Sequence, residues 1–226
     1  MAKELIIKPI AHIKNDFDTK FGVPRQSGLA GVLSKIVFEK EYRDPNALRG
    51  IEEFSHLWLI WEFTEFTNKD WSPTVRPPRL GGNTRVGVFA TRSPNRPNNL
   101  GLTLVKLVRV EGCELVVSGA DLINGTPIYD IKPYLPGFEA VTDAKGGFAD
   151  AFTDFALKVE YDERILNKLP EEKRASLLEI LKGDPRPSYQ DDPERIYGFG
   201  FAGFEVKFKV SGETVYLIDI MRSADQ

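Results

Sequence analysis

Residues 71–110 restrict the fold more than any other stretch. Pro73, Pro77, Pro78, Pro94 and Pro97 punctuate them, with Gly81-Gly82 and Gly101 between. Proline fixes φ and drives the preceding residue toward extended geometry, so the stretch reads as short strands delivering stiff loops. Val86, Val88 and Phe89 form one apolar run, a strand leading into the loop ATRSPNRPNN; Leu100-Gly101 opens the next strand, residues 102–110. The window contains no Asp or Glu but does contain Arg76, Arg79, Arg85, Arg92, Arg96, Lys106 and Arg109. It therefore carries +7 in a chain of formal net charge −3, and the remainder sums to −10. Such asymmetry points to an anionic partner, nucleic acid first, with a solvated basic face as the competing reading. Prolines favour the partner, because a stiffened loop presents its arginines at low entropic cost.

The 226 residues suffice for one good core and a second small one. Residues 5–13 read as an edge strand because of Pro9. Residues 15–27 are polar and irregular. Their Pro24-Arg25-Gln26 again pairs a stiffener with a cation and an amide, either as loop surface or as a site. Residues 29–38 read as a strand. Asp44 as N-cap with Pro45 at the first helical position predicts a short helix ending near Arg49-Gly50. Residues 54–66, FSHLWLIWEFTEF, are apolar on both parities and predict a central strand buried on both faces, a buried helix being the alternative. Most of its aromatics belong to a core, though one or two could stack on bases; His56 reads as a core histidine.

Residues 68–83 form a long loop, which in a compact domain is functional or disordered. After a turn at Glu111-Gly112 and a strand at 115–118, Asn124-Gly125 signals a hairpin between residues 121–123 and 128–131. This pairing clusters Asp121, Asp130, Lys132 and Tyr134, as exposed charges around a turn or as an acidic wall facing the basic loops. Residues 137–150 have linker composition. Beyond them come a strand at 152–160, a helical turn or two at 162–168, and an amphipathic helix at 170–181. A hairpin of residues 197–210 and 214–220 follows, turning at Ser211-Gly212-Glu213: a small α+β unit.

Several classes are excluded. No apolar run approaches the ~20 residues of a membrane span, and the N-terminus lacks a signal-peptide core. Cys113 is the only cysteine, which excludes an internal disulfide and suits a reducing cytoplasm. With only His12 and His56, a zinc site or histidine triad is disfavoured and no metal is expected. Gly198, Gly200 and Gly203 match a dinucleotide fingerprint, but a β-rich run follows where a helix is required.

The strings SHLWL, RPPRLGGN, VGVFATRSPNRPNNLG and DLINGTPIYDIKPYLP, with DPRPSY near the C-terminus, resemble the TsaA-like or TrmO family of S-adenosylmethionine-dependent tRNA methyltransferases. The resemblance implies a mainly β fold: a single-sheet β-barrel domain over 1–145 and a small α+β domain over 146–226. It implies N6-methylation of the N6-threonylcarbamoyladenosine beside the anticodon, at tRNA position 37, by a cytoplasmic homodimer with sites near the subunit interface. The family's donor site falls on Pro24, Arg25, Gln26, Thr64, Glu65, Arg92, Leu102, Asp121, Leu122, Ile123 and Asn124. Thr64-Glu65 and Asn124 depart from the family pattern, where an amide or histidine pair and an acid are expected.

Methyl transfer from a sulfonium is a displacement that chiefly needs two bound molecules held in line. Asp121 is expected to accept hydrogen bonds from the donor, and Arg25 or Arg92 to hold its carboxylate. The attacking nitrogen must lose a proton, for which Asp130 is the candidate acceptor, with Tyr134 and Lys132 orienting the acceptor nucleotide. Arg76, Arg79 and Arg96 are assigned to tRNA, with Arg186 and Tyr189 from the C-terminal unit. The alternatives are a non-catalytic barrel adaptor that binds tRNA or a ligand, and a metal-dependent phosphoester hydrolase, against which the sparse ligand set argues.

Overall fold

The computed structural model describes residues 5–66, 70–77, 80–153, 155–186, 190 and 192–223. Arg79 and Tyr189 lie outside them. The first eight strands are β1 (Ala11–Lys14), β2 (Leu33–Phe38), β3 (His56–Glu62), β4 (Thr74–Val75), β5 (Val86–Gly87), β6 (Leu100–Glu111), β7 (Glu114–Ser118) and β8 (Pro127–Pro133). Six of them close into one antiparallel barrel, in the order β1-β2-β7-β6-β3-β8, and Ala11 of β1 pairs with Ile128 of β8 to complete the ring. β4 and β5 form a separate two-stranded ribbon.

Closure explains two departures from the sequence reading. β1 pairs on both sides, with β2 and β8, so it is not an edge strand, and Pro9 simply precedes it. β3 is a strand, but its burial alternates: Leu57, Leu59 and Trp61 are buried, while His56, Trp58, Ile60 and Glu62 are half-buried. A barrel buries only the inward parity of each strand, so the apolar residues of the other parity line its outer wall. Ile13, Ile36, Leu57, Leu59, Leu115, Val117 and Ile128 are fully shielded and fill the interior. So narrow a barrel is a packed core, and a ligand site has to form at its end.

Other expectations shift locally. The short helix expected to end near Arg49-Gly50 is 3₁₀ in type, Pro45–Leu48, with separate 3₁₀ turns at Lys40–Tyr42 and Ile51–Glu53 and Gly50 at φ 85° after its end. The expected cap is present: Asp44 Oδ1 accepts from the Asn46 N–H at 2.8 Å. The strand expected at Val86–Phe89 is two residues long and turns into 3₁₀ at Val88–Ala90. The expected hairpin at Asn124-Gly125 is absent. The turn is real, with Gly125 at φ 81°, but residues 119–126 are not a strand and β8 pairs with β3 and β1 instead. Within 137–150 the chain carries a short helix, α1 (Pro136–Glu139), and the start of a 3₁₀ turn at Gly147–Phe152.

The C-terminal unit contains β9 (Lys158–Glu160), α2 (Glu163–Leu166), α3 (Glu171–Lys182), β10 (Tyr197–Phe201), β11 (Phe204–Ser211) and β12 (Thr214–Arg222). Its sheet runs β10-β11-β12-β9, with β9 parallel to β12. The expected 197–210 strand divides at Ala202-Gly203, both at positive φ. Leu177, Ile180 and Leu181 of α3 join Phe199, Phe201, Val206 and Phe208 in a second core. Phe17, Ala30 and Val32, from the connection between β1 and β2, are buried in that same core. This connection is thus packed against the C-terminal unit.

Candidate active site

β3 ends where β6 and β8 begin: Glu62 pairs with Leu100, and Trp61 with both Gly101 and Ile128. At this end of the barrel opens a cavity of about 480 Å³. That is a usual size for a small-molecule site. Its walls come from the β1–β2 connection (Val23, Pro24, Arg25, Gln26), the strand ends, the turn Thr64–Phe66, the proline-stiffened loop (Thr91, Arg92, Pro94, Arg96), and Asp121, Ile123 and Thr126 before β8.

A chain of hydrogen bonds runs along the inner side. The Trp61 indole N–H donates to Thr103 Oγ1 at 2.9 Å, and the Thr103 hydroxyl donates to Asp121 Oδ1 at 2.6 Å. Gly101 makes this possible, because a Cβ there would lie 2.3 Å from the Trp61 ring. Burial pushes the Asp121 carboxyl pKa up; the Thr103 hydroxyl, backbone N–H groups of Asp121 and Ser27, and the Arg92 guanidinium oppose that rise. The carboxylate is therefore preorganised and incompletely compensated, a state that a ligand N–H or O–H would relieve.

The facing loop is held by its own bonds. Val88 N–H donates to Pro73 O at 3.0 Å, and Thr91 N–H to Val88 O at 3.1 Å. Arg96 Nη1 donates to the carbonyls of Thr91 (3.0 Å) and Ser93 (3.1 Å), so this arginine clasps its loop. Arg92 is exposed, and its Nη1 donates to Gln26 Oε1 at 3.2 Å, joining two walls of the cavity. At the rim Lys20 faces Glu65 at 3.7 Å. Glu62 also lines the cavity and accepts a hydrogen bond from the Tyr129 hydroxyl, whose pKa is pushed up to about 12 by burial first and Glu62 second.

Of the expected donor residues, Pro24, Arg25, Gln26, Thr64, Glu65, Arg92, Leu102, Asp121 and Ile123 line this cavity. Leu122 is fully buried in the barrel core. Asn124 stands behind the wall, donating through Nδ2 to Asp18 and accepting from the Asn15 N–H, both at 3.2 Å. Asp130, Lys132 and Tyr134 do not line the cavity. Asp130 and Lys132 pair in register with Ile60 and Trp58, on the outward parity of the barrel wall. Lys132 Nζ lies 2.9 Å from Asp130, and Tyr134 meets Trp58 and His56 edge-on at 6.0 and 6.4 Å. The expected cluster of Asp121 with these three therefore does not form within one chain, because the hairpin that would create it is absent. Arg76 is exposed beside β4. Arg186 is half-buried against Asp184. Glu62, Thr103 and Thr126 line the cavity without having been picked out in the sequence, and Trp61, read there as one of the core-strand aromatics that could stack on a base, lines it too. The inward parity of β3 and the glycine opposite Trp61 are local signals for Trp61; Glu62, on the other parity at the strand end, has none.

Among the described residues no group of three or more His, Cys, Asp or Glu could hold a metal ion. Fold and cavity define a small-molecule-binding β-barrel whose pocket sets a shielded carboxylate beside an exposed guanidinium, with a second α+β unit backing one wall. Residues 12–140 match the tRNA-methyltransferase O N-terminal domain and residues 154–223 the TrmO C-terminal domain, and the chain belongs to the TrmO family. It is 49% identical over 161 residues to the tRNA (adenine(37)-N6)-methyltransferase of Eikenella corrodens, covering 70% of this chain and 91% of that one. It is 39% identical over 215 residues to the enzyme of that name from Escherichia coli, covering 89% and 92%. The crystal structure of TrmO from Pseudomonas aeruginosa superposes with a TM-score of 0.81 at 31% identity, over 99% of both chains. Other relatives are named as an S-adenosylmethionine-dependent methyltransferase and an S-adenosyl-L-methionine-binding protein, and the family's cofactor is S-adenosylmethionine.

Proposed function

We propose that this protein is a cytoplasmic homodimer that methylates N6 of adenosine 37 in tRNAs whose base already carries an N6-threonylcarbamoyl group. The observation that carries the reading is the Trp61–Thr103–Asp121 chain opening into a cavity of about 480 Å³. Bound there, S-adenosylmethionine supplies an electrophilic methyl on a sulfonium, and the nitrogen that captures it must release a proton. Asp121 accepts a donor N–H or O–H. Arg92 holds the donor's carboxylate, for which it is better placed than Arg25, whose Nη2 already serves two carbonyls. Pro24, Thr64, Glu65, Leu102 and Ile123 shape the walls and exclude water.

Dimerisation reconciles the donor cavity with the outward-facing residues. The outer wall exposes Leu102 and Val108 at 50% and 42%, beside the half-buried Trp58 and Ile60. Ile60 pairs in register with Leu102 on one side and Asp130 on the other, Trp58 pairs with Lys132, and Tyr134 packs edge-on against Trp58. A two-fold pairing through this wall carries Asp130 of one subunit toward its partner's cavity as proton acceptor, with Lys132 and Tyr134 orienting the threonylcarbamoyl group or base. Arg76 and Arg79 contact the tRNA backbone, with Arg186 and Tyr189 adding contacts from the C-terminal unit.

Incubation of the protein with S-adenosylmethionine and tRNA, followed by nucleoside mass analysis, tests the proposal. One added methyl on threonylcarbamoyladenosine is expected, and methylation of unmodified adenosine alone would refute the substrate. A non-catalytic adaptor is disfavoured, since binding tRNA alone needs no shielded, half-compensated carboxylate in a small-molecule cavity.

A further inference from the structure

We infer that Arg25 is a positioning residue through which the C-terminal unit sets the geometry of the donor cavity. The inference rests on reading that cavity as the donor site. Arg25 sits between Pro24 and Gln26 in its wall, yet its Nη2 donates to the carbonyls of Asp184 and Arg186 in the C-terminal unit, each at 3.0 Å. Those carbonyls converge on one nitrogen because the chain reverses at Asp184, a buried non-glycine residue with φ 56°. A β-carbon makes this conformation costly, and it persists only where the surroundings enforce it. Here the Asp184 carboxylate enforces it by accepting from Arg186 Nε at 3.0 and 3.1 Å.

The same loop is fixed at a second point. Gly22 has φ 88°, and a Cβ there would stand 2.3 Å from the Phe199 ring of β10. Beyond the brace, Gln26 accepts from Arg92, so a shift of Arg25 reaches the facing wall of the cavity. The planar Nη2 aims its two N–H bonds in fixed directions at the two carbonyls, which a rotating ammonium does not.

The test is a double-mutant cycle on the full chain, with S-adenosylmethionine affinity measured by calorimetry without RNA. Arg25→Ala and Asp184→Ala are each expected to weaken binding roughly tenfold, the scale of hydrogen bonds to a charged group. The double variant should lose no more than about twofold beyond either single one, because both remove the same brace. Asp184→Asn, which tolerates the left-handed backbone and still accepts from Arg186, should restore binding to within about threefold of the parent. Arg25→Lys keeps the charge but loses the fixed planar direction of the two N–H bonds and the reach of the guanidinium, and should lose nearly as much as Arg25→Ala, so the proposal stays testable even if Asp184→Ala does not fold. Additive losses in the cycle would mean that Arg25 contacts the donor directly and would overturn the inference. So would full affinity in Asp184→Ala or in Arg25→Lys. A parent protein that does not bind S-adenosylmethionine would instead overturn the donor-site reading, and this inference with it.

Discussion

Asp121 and Asp130 lie nine positions apart in sequence, yet the fold gives them opposite surroundings. Asp121 faces the cavity, takes a hydrogen bond from Thr103, and is shielded enough that burial raises its pKa. Asp130 lies on the outer wall, its side chain 45% exposed, paired among the described residues with Lys132 and its own strand's backbone. Environment divides the work: a shielded, preorganised carboxylate suits holding a ligand, and an exposed one is free to meet a partner or a proton. One chain therefore builds the cavity around Asp121 but does not bring Asp130 to it.

The sharpest way to break this contrast is Asp121→Ala. It strands the Thr103 hydroxyl and removes the charged acceptor, and S-adenosylmethionine affinity should fall by roughly a hundredfold in calorimetry. A loss below threefold would remove Asp121 from the donor site. Asp130→Asn should leave donor affinity within about twofold and lower single-turnover methylation by ten- to a hundredfold. Mixing the two defective proteins sharpens the comparison. If sites are shared across a two-fold interface, heterodimers hold one intact site and an equal mixture recovers about a quarter of parental activity. No recovery, with exchange of subunits verified by mass, would place both carboxylates in one subunit's site.

Next in size is Gly101→Ala. Its methyl group would collide with the Trp61 ring, and ring displacement breaks the bond to Thr103 at one remove from Asp121. Overpacking of this kind costs about 1–3 kcal/mol, readable by urea denaturation, and donor affinity should fall with it. Unchanged stability would show that the ring moves freely. Smaller still is Arg76→Ala on the basic ribbon: tRNA binding should weaken a few-fold, the slope of log affinity against log salt should drop by about one, and donor affinity should stay put.

What was legible in the sequence follows the reach of each interaction. Turn chemistry and strand period are local, so the Asp44 cap, the Glu111-Gly112 turn and helix α3 were visible, as was the stiff cationic loop. Closure of the barrel is not local. The parity of β3 could not be resolved while both parities were apolar, and only the ring of pairings shows why Trp58 and Ile60 face outward. The hairpin expected at Asn124-Gly125 failed for the same reason: β8 gains more from β3 and β1 than from the short segment before the turn. The Trp61–Thr103–Asp121 chain spans separations of 42 and 18 residues, beyond any spacing rule. Most of the cavity wall was reached through long motifs resembling a family, whereas Arg25's engagement with Asp184 and Arg186, 159 and 161 residues away, carried no sequence signature at all.

The smallest expected effect concerns pH and again separates the two carboxylates. In the ligand-free protein the Asp121 carboxyl is raised above its unfolded value of about 3.9, so the folded state holds this proton to higher pH than the unfolded chain does. Its contribution to stability is therefore greatest below that value and declines as pH rises through the interval up to the folded pKa, then stays constant. Asp121→Asn keeps the shape and an acceptor for Thr103 but cannot ionise. Relative to the parent, the variant should gain stability between pH 4 and pH 7 by urea denaturation. Saturating S-adenosylmethionine should flatten the parent's decline, because a donor N–H or O–H on the carboxylate favours its charged form. A parent and an Asp121→Asn variant with parallel stability profiles from pH 4 to pH 7 would mean that the Thr103 hydroxyl, the backbone N–H groups and Arg92 already compensate burial in full, and the distinction drawn between the two acids would then rest on position alone.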